Sequence, residues 1–206
     1  MTIAAPRHWW PQQLLLGWMH LALTAPVIYL FVGLPLVMRQ QGMDGTQMGL
    51  LQLAGLPAML KFFFGWPVDR WQLARSNHNH NHCNNYRNWA IALSLAYAAA
   101  LLWLALTPLG QSLSWPLFAL LMLISLLATW VDVSLNALAI ALLPEGERIR
   151  AGAVRSAAMS LAAIAGGGLM LILHTHYGWA MPLVLMATGA LSCTLLLPLL
   201  GQSPNT

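Results

Sequence analysis

Long apolar runs alternate along the chain with short stretches where Pro, Gly and charge collect. Six runs stand out: Gln13 to Met38, Thr46 to Trp66, Trp89 to Leu106, Trp115 to Leu143, Ala151 to Leu173 and Gly178 to Leu200. Each is close to the roughly 20 residues that a helix needs to cross the hydrocarbon core of a bilayer. The runs are continuous, not the short alternating strands of an outer-membrane barrel. An isolated strand could not satisfy its backbone in lipid, so all six are expected to be helices. The pattern predicts an all-α membrane protein in which residues 1–206 form a single six-span domain. Span 1 exceeds the apolar core of a signal peptide and no small-residue cleavage site follows it, so it reads as a retained span.

Composition narrows the picture. Charged residues make up 7% of the 206, with 9 Lys+Arg and 5 Asp+Glu. Soluble domains carry about 25%. So few charges cannot cover a water-facing surface. Cys83 and Cys193 are the only thiols, which excludes a disulfide scaffold. The net charge of +4 serves to orient the chain and is no sign of a nucleic-acid partner. Arg7, Arg70, Arg75, Arg87, Arg148, Arg150 and Arg155 fall on one set of span ends, and Arg39 alone on the other. The positive-inside rule then places both termini in the cytoplasm. Trp9, Trp10, Trp66, Trp71, Trp89, Trp115 and Trp179 lie near span ends, where an amphipathic ring prefers the headgroup layer.

Ionisable groups at membrane depth are costly and need a reason. Asp132 in span 4 and Lys61 in span 2 are the clearest, with His20 in span 1 a third. Ser125, Thr129, Asp132 and Asn136 fall within about 60° of one helical face. Gln13, His20 and Thr24 repeat the pattern within about 40°. Pro26 follows and is expected to interrupt the helix and free a carbonyl. Such stripes either line a water-filled cavity or fasten helices together; the carboxylate favours a solute path. Lys61 either snorkels to the interface or pairs with Asp132 or an anionic solute. In span 5, Ala158, Ala162 and Gly166 make a smooth face for close helix packing, fixed or sliding, and this face is expected to meet a second bundle.

Between spans 2 and 3 the chain reads Gly65-Trp66-Pro67-Val68-Asp69-Arg70. This resembles the Gly-x-x-x-Asp-Arg signature between helices 2 and 3 of the major facilitator superfamily, although its downstream Gly-Arg-Arg half is missing. Leu56-Pro57-Ala58-Met59-Leu60-Lys61-Phe62, the Asp132 segment through Leu143-Pro144-Glu145, and Gly166-Gly167-Gly168 with Tyr177-Gly178-Trp179 look like siderophore permeases of the RhtX/FptX type and the related AmpG-type muropeptide permeases. The resemblance covers nearly the whole chain, but only the N-terminal six-helix half of such a carrier. It implies a secondary transporter of the cytoplasmic (inner) membrane for a bulky, partly anionic solute, with the siderophore branch preferred. It also implies a partner, either a second six-helix half or a second copy, because in this superfamily the solute site lies between two bundles. His20, Thr24, Lys61, Ser125, Thr129, Asp132 and Asn136 would line the path, and Gly65, Asp69 and Arg70 would act in a cytoplasmic gate.

Other chemistries find little support. His78, His80, His82 and Cys83 within Asn77 to Asn85 could ligate a metal, yet alternating His-Asn lacks the spacing of a closed site and fits a polar insertion. His174 and His176 form a smaller pair. No Gly-x-Ser-Gly nucleophile, second intramembrane aspartate or phosphate-binding Gly pattern occurs. Neither an enzyme nor a cofactor is expected.

Overall fold

The computed structural model describes residues 9–40, 42–61, 63, 70, 81–107 and 114–199, with backbone alone for 81–83 and 199. Among them there is no strand. Helix α1 runs Trp10–Gln40, α2 Gly45–Leu53, α3 Leu56–Met59, α4 Asn81–Leu106, α5 Trp115–Leu142, α6 Glu145–Tyr177 and α7 Ala180–Leu196. α1, α4, α5 and α6 are long and apolar enough to cross a membrane, and α7 is a shorter apolar helix. A 3₁₀ turn, Leu197–Leu199, extends α7.

Local chemistry fixes the helix ends. Pro11 and Pro116 sit in the first turns of α1 and α5, where a missing N–H costs nothing. α6 opens after Pro144 with Glu145 and Glu147, whose charges suit the positive end of the helix dipole. Arg148 reaches back from α6 to donate to the Ile140 and Leu143 carbonyls at the end of α5, at 3.2 and 3.3 Å. This answers two of the acceptors that a helix C-terminus leaves open. At the opposite end, the Trp179 indole N–H donates to the Leu104 and Thr107 carbonyls and ties α7 to the end of α4.

Three expectations are corrected. Pro26 does not interrupt its helix: α1 continues through it and absorbs the disturbance as a π turn, Tyr29–Gly33. Span 2 is not a continuous helix. It breaks at Ala54–Gly55 into α2 and α3, because Pro57 has no N–H to give and the neighbouring amides turn to acceptors three residues back. Span 3 begins at Asn81, so part of the His-Asn segment is helix and not loop.

The direction of each helix follows from its contacts. α5 and α6 form an antiparallel hairpin about Leu143–Pro144, and the tilted Trp89 and Trp130 rings, 6.0 Å apart, join the start of α4 to the second half of α5, which places α4 antiparallel to α5. α1 lies parallel to α6, with Gln13 on Glu147 at one end and Tyr29 on His174 at the other. Hence α1 and α4 point the same way, and the chain between them has to return. Its described part does so: Gln52 donates to the Phe31 carbonyl, while Ala58 and Lys61 lie beside Leu23 and Thr24 farther back along α1.

The core runs along the α4–α5 and α4–α7 seams and the inner face of α1, where Tyr97, Leu101, Leu121, Ile124, Met19 and Leu30 are fully buried. α6 is peripheral. It buries 22% of its most apolar stretch, against 50% for α1 and α5. Its small face, Ala158, Ala162 and Gly166, is the buried one, and it packs on α1. The face expected to meet a second bundle is therefore spent inside this one. Larger apolar residues, among them Leu161, Ile164 and Ile172, point outward.

Candidate functional site

The polar stripe of α5 faces α1 and α6. At its centre the Asp132 carboxylate accepts from Arg155 Nη2 at 3.1 and 3.2 Å and lies 3.4 Å from His20 Nδ1. His20 is buried at 4% exposure, whereas Asp132 and Arg155 keep 29% and 33% of their side chains open. One carboxylate thus fastens three helices: α1 through His20, α5 through its own backbone, and α6 through Arg155. Charge-assisted hydrogen bonds of this kind are stronger than neutral ones and are sensitive to protonation.

Arg155 is the residue that the sequence reading missed. It was grouped with Arg148 and Arg150 as a loop charge, and it lies instead within α6 against the stripe. The signal was available: Arg155 lies about three turns into α6, where an unpaired cation would be costly. Lys61, one expected partner of Asp132, does not fill that role. Among the described residues the ion pairs of Asp132 are with Arg155 and His20. Lys61 is exposed on the short stretch after α3 and borders the same cleft.

That cleft has a volume of about 200 Å³ and brings together Thr24, Lys61, Ser125, Thr129, Asp132 and Arg155. Five of the sequence-assigned path residues, Thr24, Lys61, Ser125, Thr129 and Asp132, meet around it. Asn136 lies on the far side of the ion pair, in a separate cleft of about 260 Å³ shared with His20, Arg148 and Arg155. The hydroxyl of Thr129 donates to the Ser125 carbonyl one turn back along its own helix, at 2.7 Å. This leaves its oxygen available chiefly as an acceptor.

Arg70 is exposed. Gly65 and Asp69, and the ligand candidates His78 and His80, lie outside the described residues. So do the side chains of His82 and Cys83, which belong to the first turn of α4. Among the described residues no group of three or more His, Cys, Asp or Glu side chains could hold a metal ion. His174 does not pair with His176. It takes part in a hydrogen bond of 2.6 Å with the Tyr29 hydroxyl, beside the Trp179 ring.

A bundle of helices long and apolar enough to cross a membrane, in which a carboxylate, a guanidinium and an imidazole join three helices between two clefts, fits a membrane protein. The sequence matches the family model of the Major Facilitator Superfamily over residues 19–205, and the chain belongs to that superfamily. Its members are transporters and not enzymes.

Proposed function

We propose that this chain is one bundle of a secondary transporter that takes up an iron–siderophore complex across the cytoplasmic membrane, with both termini inside. The observation that carries the reading is the His20–Asp132–Arg155 ion network at the wall of a polar cleft, in a chain of this superfamily. A carboxylate that joins three helices can exchange its partners when it gains or loses a proton or when an anionic solute competes for Arg155. Either event loosens the joint of α1, α5 and α6 at the cleft wall, and alternating access would proceed by rocking of this bundle against a second one. Lys61 supplies a second cation to the same cleft, suiting a solute with negative charge. The Leu56 to Phe62 string supports the siderophore branch through its likeness to those permeases.

The cleft has walls from α1, α5, α6 and the segment around Lys61, so a second six-helix bundle or a second copy would complete the path. Asp69 and Arg70 would serve the cytoplasmic gate. The test is uptake of ⁵⁵Fe-labelled siderophores into cells expressing the chain with and without a second six-helix half, and into liposomes holding less than one chain each. Uptake is expected only where two bundles can meet. Uptake undiminished at the single-chain dilution would refute the two-bundle path, and uptake of a muropeptide in place of any siderophore would move the solute assignment to the other branch.

A further inference from the structure

The Asp132–Arg155 pair separates two clefts, and the second of them has a chemistry of its own. It lies toward the end of the bundle where α5 turns into α6, and Gly17, His20, Asn136, Arg148, Gly152 and Arg155 border it. Two guanidinium groups and an imidazole face it, and among the described residues that line it there is no carboxylate. Arg155 spends Nη2 on Asp132, while its Nε is buried and has no hydrogen-bond acceptor. A buried donor without an acceptor is rare in folded proteins and marks a place where an acceptor belongs. Arg148 is held in position by the Ile140 and Leu143 carbonyls, with Glu145 3.8 Å from its Nη1. It therefore presents its charge without a large ordering cost. Asn136 adds an amide able to donate.

We propose that this arginine-side cleft is a second binding site, for a carboxylate group of a soluble anion, with Arg155 shared between the two clefts. The inference rests on the transport reading for the origin of the anion, but not for the site. An acidic group that leaves Lys61 for Arg155, and then Arg155 for Arg148, passes the ion pair without being uncompensated at any stage. Asp132 is released from Arg155 as the anion takes its place, and His20 remains as its partner.

Cysteine labelling tests this on the full chain in phosphatidylcholine nanodiscs, with Cys83→Ser and Cys193→Ala removing the native thiols. Gly152→Cys places a thiol at the cleft, and Gly49→Cys places one on the exposed face of α2 as a reference; both positions have open space for a Cβ. Each is treated with an anionic and a cationic methanethiosulfonate reagent, with citrate as the competing tricarboxylate probe. The anionic-to-cationic rate ratio is expected to be about tenfold or more higher at position 152 than at 49, in the range by which charged clefts concentrate counter-ions. Citrate should slow labelling at 152 and leave 49 unchanged. Arg155→Gln should remove both effects, and Arg150→Gln should preserve them. Asn136→Asp leaves Arg155 in place and should lower the anionic-to-cationic ratio at 152 by adding a negative charge to the cleft, which keeps the test open if Arg155→Gln fails to fold. Equal ratios at 152 and 49, or no effect of citrate, would overturn the proposal. Protection by phosphatidylglycerol in the nanodisc with citrate inert would assign the cleft to a lipid headgroup, and would overturn it too. Labelling reports on the cleft whether or not the chain transports, so citrate protection without any uptake would count against the transport reading alone.

Discussion

Among the described glycines Gly166 is the most tightly packed, and replacing it by alanine is the sharpest test of how α1 and α6 are joined. A methyl group added there would overlap the Ala25 carbonyl oxygen and stand 3.1 Å from its carbon and 3.2 Å from its Cα. These are backbone atoms, so no rotamer change can make room; α1 and α6 have to part. A separation of about 0.5–1 Å forfeits roughly a quarter to a half of each contact's dispersion energy. Overpacking of this kind costs about 1–3 kcal/mol, or about 2–12 °C of melting temperature for a chain of this size. Gly168 is the control, since a Cβ there meets nothing within 4 Å. Gly168→Ala adds the same methyl in the same π turn, Ala165–Leu169, and should be neutral or slightly stabilising, because alanine loses less backbone entropy than glycine. Thermal unfolding of the purified variants in detergent, followed by near-ultraviolet circular dichroism, reads both values. The reasoning fails if Gly166→Ala and Gly168→Ala melt together. It also fails if Gly166→Ala melts lower but leaves Arg155 as close to Asp132 as before in an inter-helix distance measurement, since the joint would then not control the ion network.

Four further outcomes are expected. Asp132→Asn should abolish uptake in an assembly competent for transport while leaving membrane insertion intact. It should lower stability by only about 1–2 kcal/mol, less than the 3–5 of a fully buried broken pair, because both partners are a third open to solvent; normal uptake by this variant would remove Asp132 from the mechanism. Tyr29→Phe deletes the hydrogen bond to His174 and should cost about 0.5–1.5 kcal/mol in the same melting assay, and an unchanged melt would mean that the bond carries nothing. Trp179→Phe keeps an aromatic ring but removes the indole donor from the Thr107 carbonyl, the Leu104 carbonyl still accepting from the Thr107 hydroxyl and amide, so it should destabilise the chain by about 0.5–1.5 kcal/mol, whereas Trp115→Phe on an exposed side chain should not. Asp69→Ala should slow conformational cycling more than it weakens solute binding; a collapse of equilibrium binding with unchanged inward and outward populations would refute the gate assignment.

Much of the candidate site was legible because a helix repeats every 3.6 residues. Ser125, Thr129, Asp132 and Asn136 share a face by arithmetic alone, and so do His20 and Thr24. Hydropathy placed α1 and α5 within a few residues of their ends for the same reason: the cost of exposing polar backbone to lipid forces long unbroken helices, and an unbroken apolar run records it. The break in span 2 is different. A proline in an apolar run is compatible with both a kinked helix, as at Pro26, and a broken one, as at Pro57. What neighbouring helices and side chains offer to the freed backbone groups decides between them.

The sequence by itself determined the class of protein and the side chains that share each helical face. Only the tertiary structure decided which faces meet. Asp132 could have met Lys61, and the Ala158–Ala162–Gly166 face could have been kept for another bundle. Both choices turned on α6 lying parallel to α1, close enough for Gly166 to touch the Ala25 backbone. That adjacency brings Arg155 to Asp132, divides the polar stripe between two clefts and leaves the bulky apolar side of α6 outward. Periodicity sorts residues around one axis, but it says nothing about the angle and distance to the next, and those are set by packing among all the helices at once.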